Sequence, residues 1–315
     1  MVSLRAIGSF IPERLIDNLG LKDRFGVSED FIRDKIGVVT RPVMAPGWDT
    51  ADLATASIKA LVEKEGLDLA TVDCLVVCTQ NPEGRGLPHT SAIVHGRLGL
   101  DEGCAAFDIS LGCSGYVYGA ALIQSFMEAN GLERGLFVTA DPYSKVVSPD
   151  DKNTALLFGD AATASLFDAA DDASRPAWRV TRARLGTIGR EWAALAVDAE
   201  GVLHMNGREI FNFAAVKVPV EIEHLLREAD LTLGAIDLVL LHQASKYMVD
   251  TLQKRLKLPP HKVPFEAGAV GNTVSSTIPL LLERRLADPK LSRLLLSGFG
   301  VGLSIASCIL ERKAA

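Results

Sequence analysis

Short apolar runs alternate with longer segments of helical periodicity along most of the chain. In the first half the pattern predicts strands at residues 75–78, 105–109 and 136–139, and helices at about residues 89–98 and 114–130. Gly131 directly follows the second of these helices and would end it as the C′ residue. Regular alternation of strands and helices is typical of an α/β fold.

The second half of the chain repeats this order, with predicted strands at residues 238–241 and 294–296 and helices at 244–256 and 275–287. Residues 72–77 match residues 236–241 at an offset of 164, and Gly112-Cys113 falls opposite Gly271-Asn272 at an offset of 159. This self-similarity predicts two copies of one α/β unit, an N-terminal half at residues 1–170 and a C-terminal half at residues 171–315.

Three polar side chains lie where a site would form in such a fold. Cys113 and Asn272 each stand between a strand-like run and a helix, and His242 ends the strand at residues 238–241. Open α/β sheets place their sites at the carboxyl ends of strands, so a two-fold relation between the halves would bring the three together. At a helix N-terminus, Cys113 is also expected to favour the thiolate.

Composition narrows the class of protein. The 315 residues are 48% hydrophobic, enough for a large core in two domains or one duplicated unit, and the net charge of −6 argues against a nucleic-acid binder. The five cysteines are odd in number and form no CxxC motif, which favours reduced thiols over a disulfide or zinc framework. Because no apolar stretch is long enough to span a bilayer and the start lacks a signal-peptide pattern, we expect a cytoplasmic enzyme.

The three side chains together indicate acyl transfer. A cysteine supplies a nucleophile suited to thioesters, a histidine handles protons, and an asparagine donates hydrogen bonds. His242 alone could be a histidine satisfied at a strand end, and Asn272 alone could be a turn residue. Their combination with Cys113 is what points to catalysis.

Fragments in a fixed order along the chain carry a resemblance to a known family. They are IGSFIPE (7–13), SEDFI with KIG (28–37), FDISLGCSG (107–115), FGDAA (158–162), HQA (242–244), GNT (271–273) and GFGVG (298–302). In this order and spacing they resemble the β-ketoacyl-ACP synthase III group of the thiolase superfamily, over nearly the whole chain.

The resemblance implies a five-layer αβαβα fold, a homodimer and a decarboxylative condensation in fatty-acid or specialised lipid or polyketide biosynthesis. Cys113 would accept an acyl group from acyl-CoA or a carrier protein, and His242 and Asn272 would bind the malonyl-ACP thioester carbonyl and stabilise the enolate. Backbone N–H groups of Cys113 and Val301 would form a second oxyanion hole. The resemblance implies no metal and no cofactor beyond the CoA and carrier-protein thioesters that are substrates.

The resemblance also assigns substrate-binding positions. Phe31 and Lys152 stand where family members stack and hold the CoA adenine, and Phe158 and Phe211 match pocket walls. Leu87 matches the residue that reaches into the partner subunit's acyl pocket, and its intermediate size predicts that primers beyond acetyl are admitted. Plain core packing remains an alternative for Phe31, Phe158 and Phe211.

Other functions remain open at this point. The protein could pass the acyl group from Cys113 to an amine, alcohol or sugar, with His242 as general base, or it could be a non-catalytic subunit, which the intact triad disfavours. Gln80 stands where related enzymes that condense without decarboxylation need a glutamate. Thiolases use a second cysteine near the C-terminal end, whereas Cys308 lies in an apolar, strand-like run.

Overall fold

The structure is a computed structural model that describes residues 1–170 and 175–313. Its strands are β1 (Ser3–Phe10), β2 (Leu15–Asp17), β3 (Thr40–Pro42), β4 (Cys74–Cys78), β5 (Ala105–Ile109), β6 (Arg134–Ala140), β7 (Ala162–Asp168), β8 (Trp178–Thr187), β9 (Leu195–Val197), β10 (Leu203–Met205), β11 (Leu238–Leu241), β12 (Arg293–Gly300) and β13 (Ser304–Arg312). Its α-helices are α1 (Lys22–Phe25), α2 (Thr50–Glu65), α3 (Thr90–Leu98), α4 (Gly115–Asn130), α5 (Lys152–Ala155), α6 (Gly207–Glu228), α7 (Lys246–Arg255) and α8 (Thr277–Glu283).

Nine strands form one hydrogen-bonded sheet in the order β11-β12-β13-β8-β1-β7-β6-β4-β5. In one half, β4 runs parallel to β6, and β7 runs antiparallel to both β6 and β1. In the other half, β11 runs parallel to β12, and β13 runs antiparallel to both β12 and β8. The halves therefore repeat one topology, and they meet at the pair Leu4–Trp178 between β1 and β8.

Successive side chains of each strand point to opposite faces of the sheet, and a different set of helices packs on each face. One face of both half-sheets packs around α4 and α8, as Val76 of β4 and Leu296 of β12 show. The opposite face of the first half-sheet packs on α2 and α3. The opposite face of the second packs on α6 and α7. The molecule thus has the predicted αβαβα layers, with α4 and α8 in the middle.

The predicted elements of the two repeats are confirmed with small shifts at their ends, and β5 and β11 match residue for residue. The predicted helix at 275–287 is shorter, because a 3₁₀ turn at Val274–Ser276 precedes α8 and α8 ends at Glu283. Val274, which directly precedes the predicted helix, has a φ of 54°, outside the right-handed helical region. The predicted boundary at residues 170/171 adjoins residues 171–174, which lie outside the described residues.

Candidate active site

A cavity of about 990 Å³ opens at the carboxyl ends of β5, β11 and β12. The predicted site residues that line it are Cys113, His242, Asn272, Phe31, Lys152, Phe158 and Phe211. Leu87 does not line it: this residue is 94% exposed on the loop before α3, and the contact predicted for it is with the acyl pocket of a partner subunit. The cavity therefore unites the nucleophile with an imidazole and an amide that lie 129 and 159 residues further along the chain.

Cys113 lies between β5 and α4, and the end of β12 passes directly against it. A Cβ atom on Gly298 would lie 2.5 Å from the Cys113 carbonyl oxygen, and one on Gly300 would lie 2.9 Å from the sulfur. Gly300 also has a φ of 150°, a conformation that favours glycine. These two glycines let the second half of the molecule approach the nucleophile of the first.

Val301 follows this contact, and its backbone N–H points at the Cys113 sulfur. Among described residues other than glycine, a positive φ is confined to Asp230, Lys257 and Val274, so Val301 adopts an ordinary backbone conformation. The carbonyl of Val301 accepts a 2.9 Å hydrogen bond from the Ser304 hydroxyl. Valine at this position is thus compatible with an N–H directed at the reacting sulfur.

The resting Cys113 is a thiol. Burial raises its pKa to about 12, and hydrogen bonds from the N–H groups of Val301 and Cys113 itself oppose that rise only in part. The thiolate expected from a helix N-terminus is therefore outweighed by desolvation, because only 5% of the residue is exposed. Attack by this sulfur requires a group that takes its proton.

His242 is the imidazole in this cavity, directly after β11 and 1% exposed. Burial lowers its pKa to about 3, so the ring is neutral at physiological pH. The edge of its ring packs on Phe299, and the next residue, Gly300, contacts Cys113. The end of β12 therefore holds the imidazole and the thiol on the same wall of the cavity.

A threonine hydroxyl sets the hydrogen bonding of His242. Nδ1 lies 2.7 Å from Thr277 Oγ1, which in turn lies 3.0 Å from the carbonyl oxygen of Val274. The hydroxyl can accept from a protonated Nδ1 while it donates to Val274, or it can donate to an unprotonated Nδ1. It therefore serves both neutral tautomers, one with a proton-accepting Nε2 and one with an Nε2–H donor.

The side-chain amide of Asn272 is oriented by a hydrogen bond from the backbone two residues further on. Its Oδ1 accepts a 2.9 Å hydrogen bond from the Val274 N–H, which leaves the side-chain NH₂ as the group available to donate into the cavity. Its backbone N–H donates to Leu157 and its carbonyl accepts from Gly159, so the segment is fixed on both sides. Asn272 thereby offers a pre-oriented hydrogen-bond donor next to His242.

Val274 completes this arrangement in a strained conformation. A positive φ is unusual for a β-branched residue and is retained only where the surroundings enforce it. Here the N–H of Val274 binds Asn272 and its carbonyl binds Thr277. Backbone strain at this position is consistent with a functional site.

Asp141 is a buried carboxyl group near the nucleophile. It directly follows β6 and accepts hydrogen bonds from the Gln80 N–H at 3.1 Å, Asn81 Nδ2 at 3.3 Å and Ser275 Oγ at 3.5 Å. Burial raises its pKa to about 7, against which these hydrogen bonds act in part. When ionised, its charge disfavours the Cys113 thiolate.

Asp141→Asn should raise the free energy of unfolding, and the gain should grow with pH. The folded state holds the proton of Asp141 up to a pKa of about 7 whereas the reference value is 3.8, so wild-type stability falls as pH rises through this window. The full gain above pH 7 is roughly 4–5 kcal/mol, from about 1.4 kcal/mol per pKa unit. Urea unfolding of both proteins at pH 4, 5.5 and 8 measures this gain. A difference in unfolding free energy between the two proteins that is the same at all three pH values would contradict the burial of a titrating carboxyl.

Aromatic and cationic side chains surround the mouth of the cavity. Phe31 is 41% exposed, and Phe211 stacks on Tyr247 with ring centroids 5.3 Å apart. Lys35 Nζ lies 4.3 Å from the centroid of Tyr247, and Lys152 lines the same opening. A planar or anionic group at the end of a long substrate would meet complementary partners here.

Sequence reasoning missed Thr277, Val274 and Asp141. Asp141 carried a usable signal, since it is an acidic residue immediately after a buried strand, at the carboxyl end of a sheet. The roles of Thr277 and Val274 depend on the φ of one residue, so the local pattern carries no sign of them.

Within residues 1–170 and 175–313, no cluster of His, Cys, Asp and Glu side chains is arranged to hold a metal ion. Over the same residues, no helix has the length and apolar character that crossing a membrane requires.

The five-layered fold is that of the thiolase-like acyltransferases. The profile of the 3-oxoacyl-[acyl-carrier-protein] synthase III family matches residues 107–189, and the profile of its C-terminal domain matches residues 226–312. The chain is 33% identical to β-ketoacyl-[acyl-carrier-protein] synthase III 1 of Halalkalibacterium halodurans, over 97% of this chain and 96% of that protein.

Solved structures agree with these matches. A crystal structure of 3-oxoacyl-(acyl-carrier-protein) synthase III superimposes with a TM-score of 0.91 at 34% identity, covering 98% of this chain and 99% of the other. A priming β-ketosynthase of a polyketide biosynthetic pathway superimposes with a TM-score of 0.87 at 25% identity, covering 99% and 96%. The chain belongs to the 3-oxoacyl-ACP synthase III family of acyltransferases.

Proposed function

We propose that the protein condenses an acyl primer with malonyl-ACP, with loss of CO₂, to give a 3-oxoacyl product for fatty-acid or related lipid or polyketide synthesis. The observation that carries the proposal is the cavity in which a buried thiol, a neutral imidazole and a pre-oriented amide donor meet. Family membership supports the same reaction. The substrates are thioesters of CoA or of the carrier protein, with no further cofactor.

Acylation of Cys113 is the first step. His242 in the tautomer with a free Nε2 takes the thiol proton as the sulfur attacks the acyl thioester carbonyl. The N–H groups of Cys113 and Val301 stabilise the oxyanion that forms. The thiolate of the carrier leaves with the proton from His242, and the acyl group remains on Cys113.

Decarboxylation and carbon–carbon bond formation follow. The malonyl thioester carbonyl accepts hydrogen bonds from the NH₂ of Asn272 and from Nε2–H of His242, whose other nitrogen then accepts from Thr277. Loss of CO₂ leaves the electron pair as an enolate stabilised by these donors. Its carbon attacks the acyl-Cys113 carbonyl, the carbon–sulfur bond breaks, and the Cys113 thiolate takes a proton from solvent.

Gln80 favours decarboxylation over direct proton abstraction. Its Oε1 lies against Gly112: a Cβ atom added to that glycine would be 2.3 Å from this oxygen. An amide in this position has no basicity with which to remove a proton from the donor substrate. Loss of CO₂ generates the same carbanion without a base.

The mouth supports binding of a long thioester carrier. Lys35 and Lys152 suit phosphate groups, and Phe31 and Phe211 suit an adenine ring or the pantetheine chain. Phe158 lines the same cavity and belongs to the same apolar cluster as Cys113, so it would border the acyl group.

We also propose that the protein is a cytoplasmic homodimer. β5 lies at the edge of the sheet with one side unpaired, and Leu87 is almost fully exposed nearby in the chain. Pairing of two β5 strands would cover the free edge of each, and a partner subunit would offer Leu87 the pocket that the family resemblance assigns to it. Light scattering at assay concentration is expected to give twice the chain mass and cell fractionation to place the protein in the cytoplasm; a monomer or a membrane fraction would refute the respective point.

Incubation of the purified protein with acyl-CoA or acyl-ACP, followed by malonyl-ACP, tests the proposed reaction. We expect CO₂ release that matches the formation of 3-oxoacyl-ACP, measured by mass spectrometry. An acyl-enzyme that persists with malonyl-ACP but is discharged by an amine, alcohol or sugar would replace condensation with acyl transfer.

A further inference from the structure

A second, small cavity lies behind Thr277, the residue that contacts Nδ1 of His242. This rear crevice is lined by apolar residues together with Gln243, Glu266, Thr273, Thr277 and Arg284. Its volume of about 20 Å³ is enough for one water molecule. Thr277 lines the rear crevice but not the active-site cavity, whereas His242 lines the active-site cavity but not the rear crevice. Thr277 therefore stands between the imidazole and a second space.

The hydroxyl of Thr273 is the polar group that the protein leaves unsatisfied in the rear crevice. Thr273 is fully buried, and among the described residues its Oγ1 has no hydrogen-bond partner. The Gln243 amide, by contrast, accepts from the Glu266 N–H and donates to the Leu241 carbonyl. Buried hydroxyls are costly without a partner, and water in small polar cavities commonly supplies one. The rear crevice thus suits a water molecule that binds the hydroxyls of Thr273 and Thr277.

The rear crevice extends to the surface of the protein. Ile11, at its rim, is 37% exposed. The side chain of Arg284 is 68% exposed and pairs with Glu266 at 3.1 Å. A water molecule next to Thr273 would therefore exchange protons with solvent by a route that does not cross the active-site cavity.

The proposed reaction requires His242 to change tautomer between its two steps. Acylation uses a free Nε2 and leaves the ring proton on Nδ1, whereas condensation uses Nε2–H. Because burial lowers the pKa of His242 to about 3, a doubly protonated ring cannot accumulate, so loss at Nδ1 must accompany gain at Nε2. Nδ1 contacts the Thr277 hydroxyl, which can pass a proton on, whereas the neighbouring Val274 carbonyl can only accept a hydrogen bond.

We propose that Thr277 and a water molecule bound by Thr273 in the rear crevice form the proton path through which His242 changes tautomer between acylation and condensation. This inference rests on the proposed two-step reaction. Nδ1 gives its proton to Thr277 Oγ1, the Thr277 hydroxyl gives its own proton to the water, and that water releases one to solvent. Nε2 meanwhile takes a proton from water in the active-site cavity. The ring, the threonine and the water each end with the number of protons they had at the start.

Thr277→Val tests the first link of the path, because it removes the hydroxyl and keeps the branched shape. The Val274 carbonyl remains as an acceptor, so the ring should stay in the tautomer with a proton on Nδ1 and a free Nε2. Acylation of Cys113 should then stay within a few-fold of wild type, and condensation should fall ~10²-fold, the typical loss for one oxyanion donor. Thr277→Ser returns the hydroxyl and should restore condensation. Nitrogen-15 NMR of His242 reports the tautomer directly.

Thr273→Val tests the water-binding link. With the acyl-enzyme formed beforehand and malonyl-ACP added in H₂O or D₂O, this variant should condense more slowly and show a larger solvent isotope effect than wild type. Acylation should be unchanged. Thr55→Val is the matched control, since Thr55 on α2 also has a buried hydroxyl without a partner among the described residues but lines neither cavity. Both steps and the isotope effect should remain at wild-type values in the control.

The outcomes separate the proton path from the reaction. A Thr277→Val protein that loses both steps to the same extent, or that still shows the Nε2–H tautomer, would overturn the role of Thr277. Wild-type condensation and an unchanged isotope effect in Thr273→Val would overturn the water-binding link. Wild type that forms no acyl-enzyme with any acyl-CoA or acyl-ACP would instead overturn the proposed function. Acylation shows that a variant is folded, and Thr277→Ala replaces Thr277→Val under the same criteria if the latter does not fold.

Discussion

Replacing Cys113 with alanine is expected to abolish the acyl-enzyme and to reduce product formation to background. Enzymes that lose a covalent nucleophile lose on the order of 10⁶ in rate, because the remaining groups cannot supply the intermediate. The side chain is small and the cavity lies next to it, so the fold should tolerate the change. Intact mass after incubation with acyl-CoA detects the adduct directly.

Cys104→Ala is the matched control for this prediction. Cys104 is a buried thiol like Cys113, but it packs with the outer cluster of the first half-sheet, away from the cavity. The control protein should carry one acyl group per chain. An adduct that survives in Cys113→Ala, or that disappears in Cys104→Ala, would place the nucleophile elsewhere.

Asn272→Asp should separate the two half-reactions. The carboxylate keeps the acceptor for the Val274 N–H but removes the NH₂ donors and places a negative charge where the enolate forms. Loss of one oxyanion donor typically costs ~10²–10³ in rate, and like-charge repulsion adds to this loss. Condensation and CO₂ release should therefore fall by at least ~10²-fold, while acylation of Cys113 stays within a few-fold of wild type.

Asn206→Asp provides a stringent comparison for that result. Asn206 also lines the cavity, but its Oδ1 caps α6 by accepting from the Glu209 N–H, a bond that aspartate retains. Both half-reactions should remain near wild type in this variant. Equal losses of acylation and condensation in Asn272→Asp would mean that the residue supports the structure of the site and does not act on the malonyl donor.

The sequence pattern predicted the elements that repeat between the halves, because buried strands and amphipathic helices leave periodic signals. It did not predict β7, β8 or α6. Since β7 and β8 continue the sheet through its centre, their existence depends on pairing with β1, β6 and β13 and not on local periodicity. The five-layer arrangement came from family resemblance, which the comparisons confirm.

The chemistry of the site was only partly accessible from sequence. The strand-end positions of Cys113, His242 and Asn272 predicted that they would meet, and they line one cavity. Their protonation states could not be predicted, because the pKa values of Cys113 and His242 are set by burial, which depends on the second half of the molecule closing over the first.

Val274 joins the imidazole and the amide into one thermodynamic unit. Its N–H orients Asn272, and its carbonyl binds the hydroxyl that contacts His242, so a rotation of this segment displaces both groups together. The free-energy losses of His242→Ala and Asn272→Ala should therefore be non-additive, with the double variant losing less than the two single losses combined. A lineage that loses either side chain would then be under little selection to keep the other, so the two are expected to vanish from descendants as a pair.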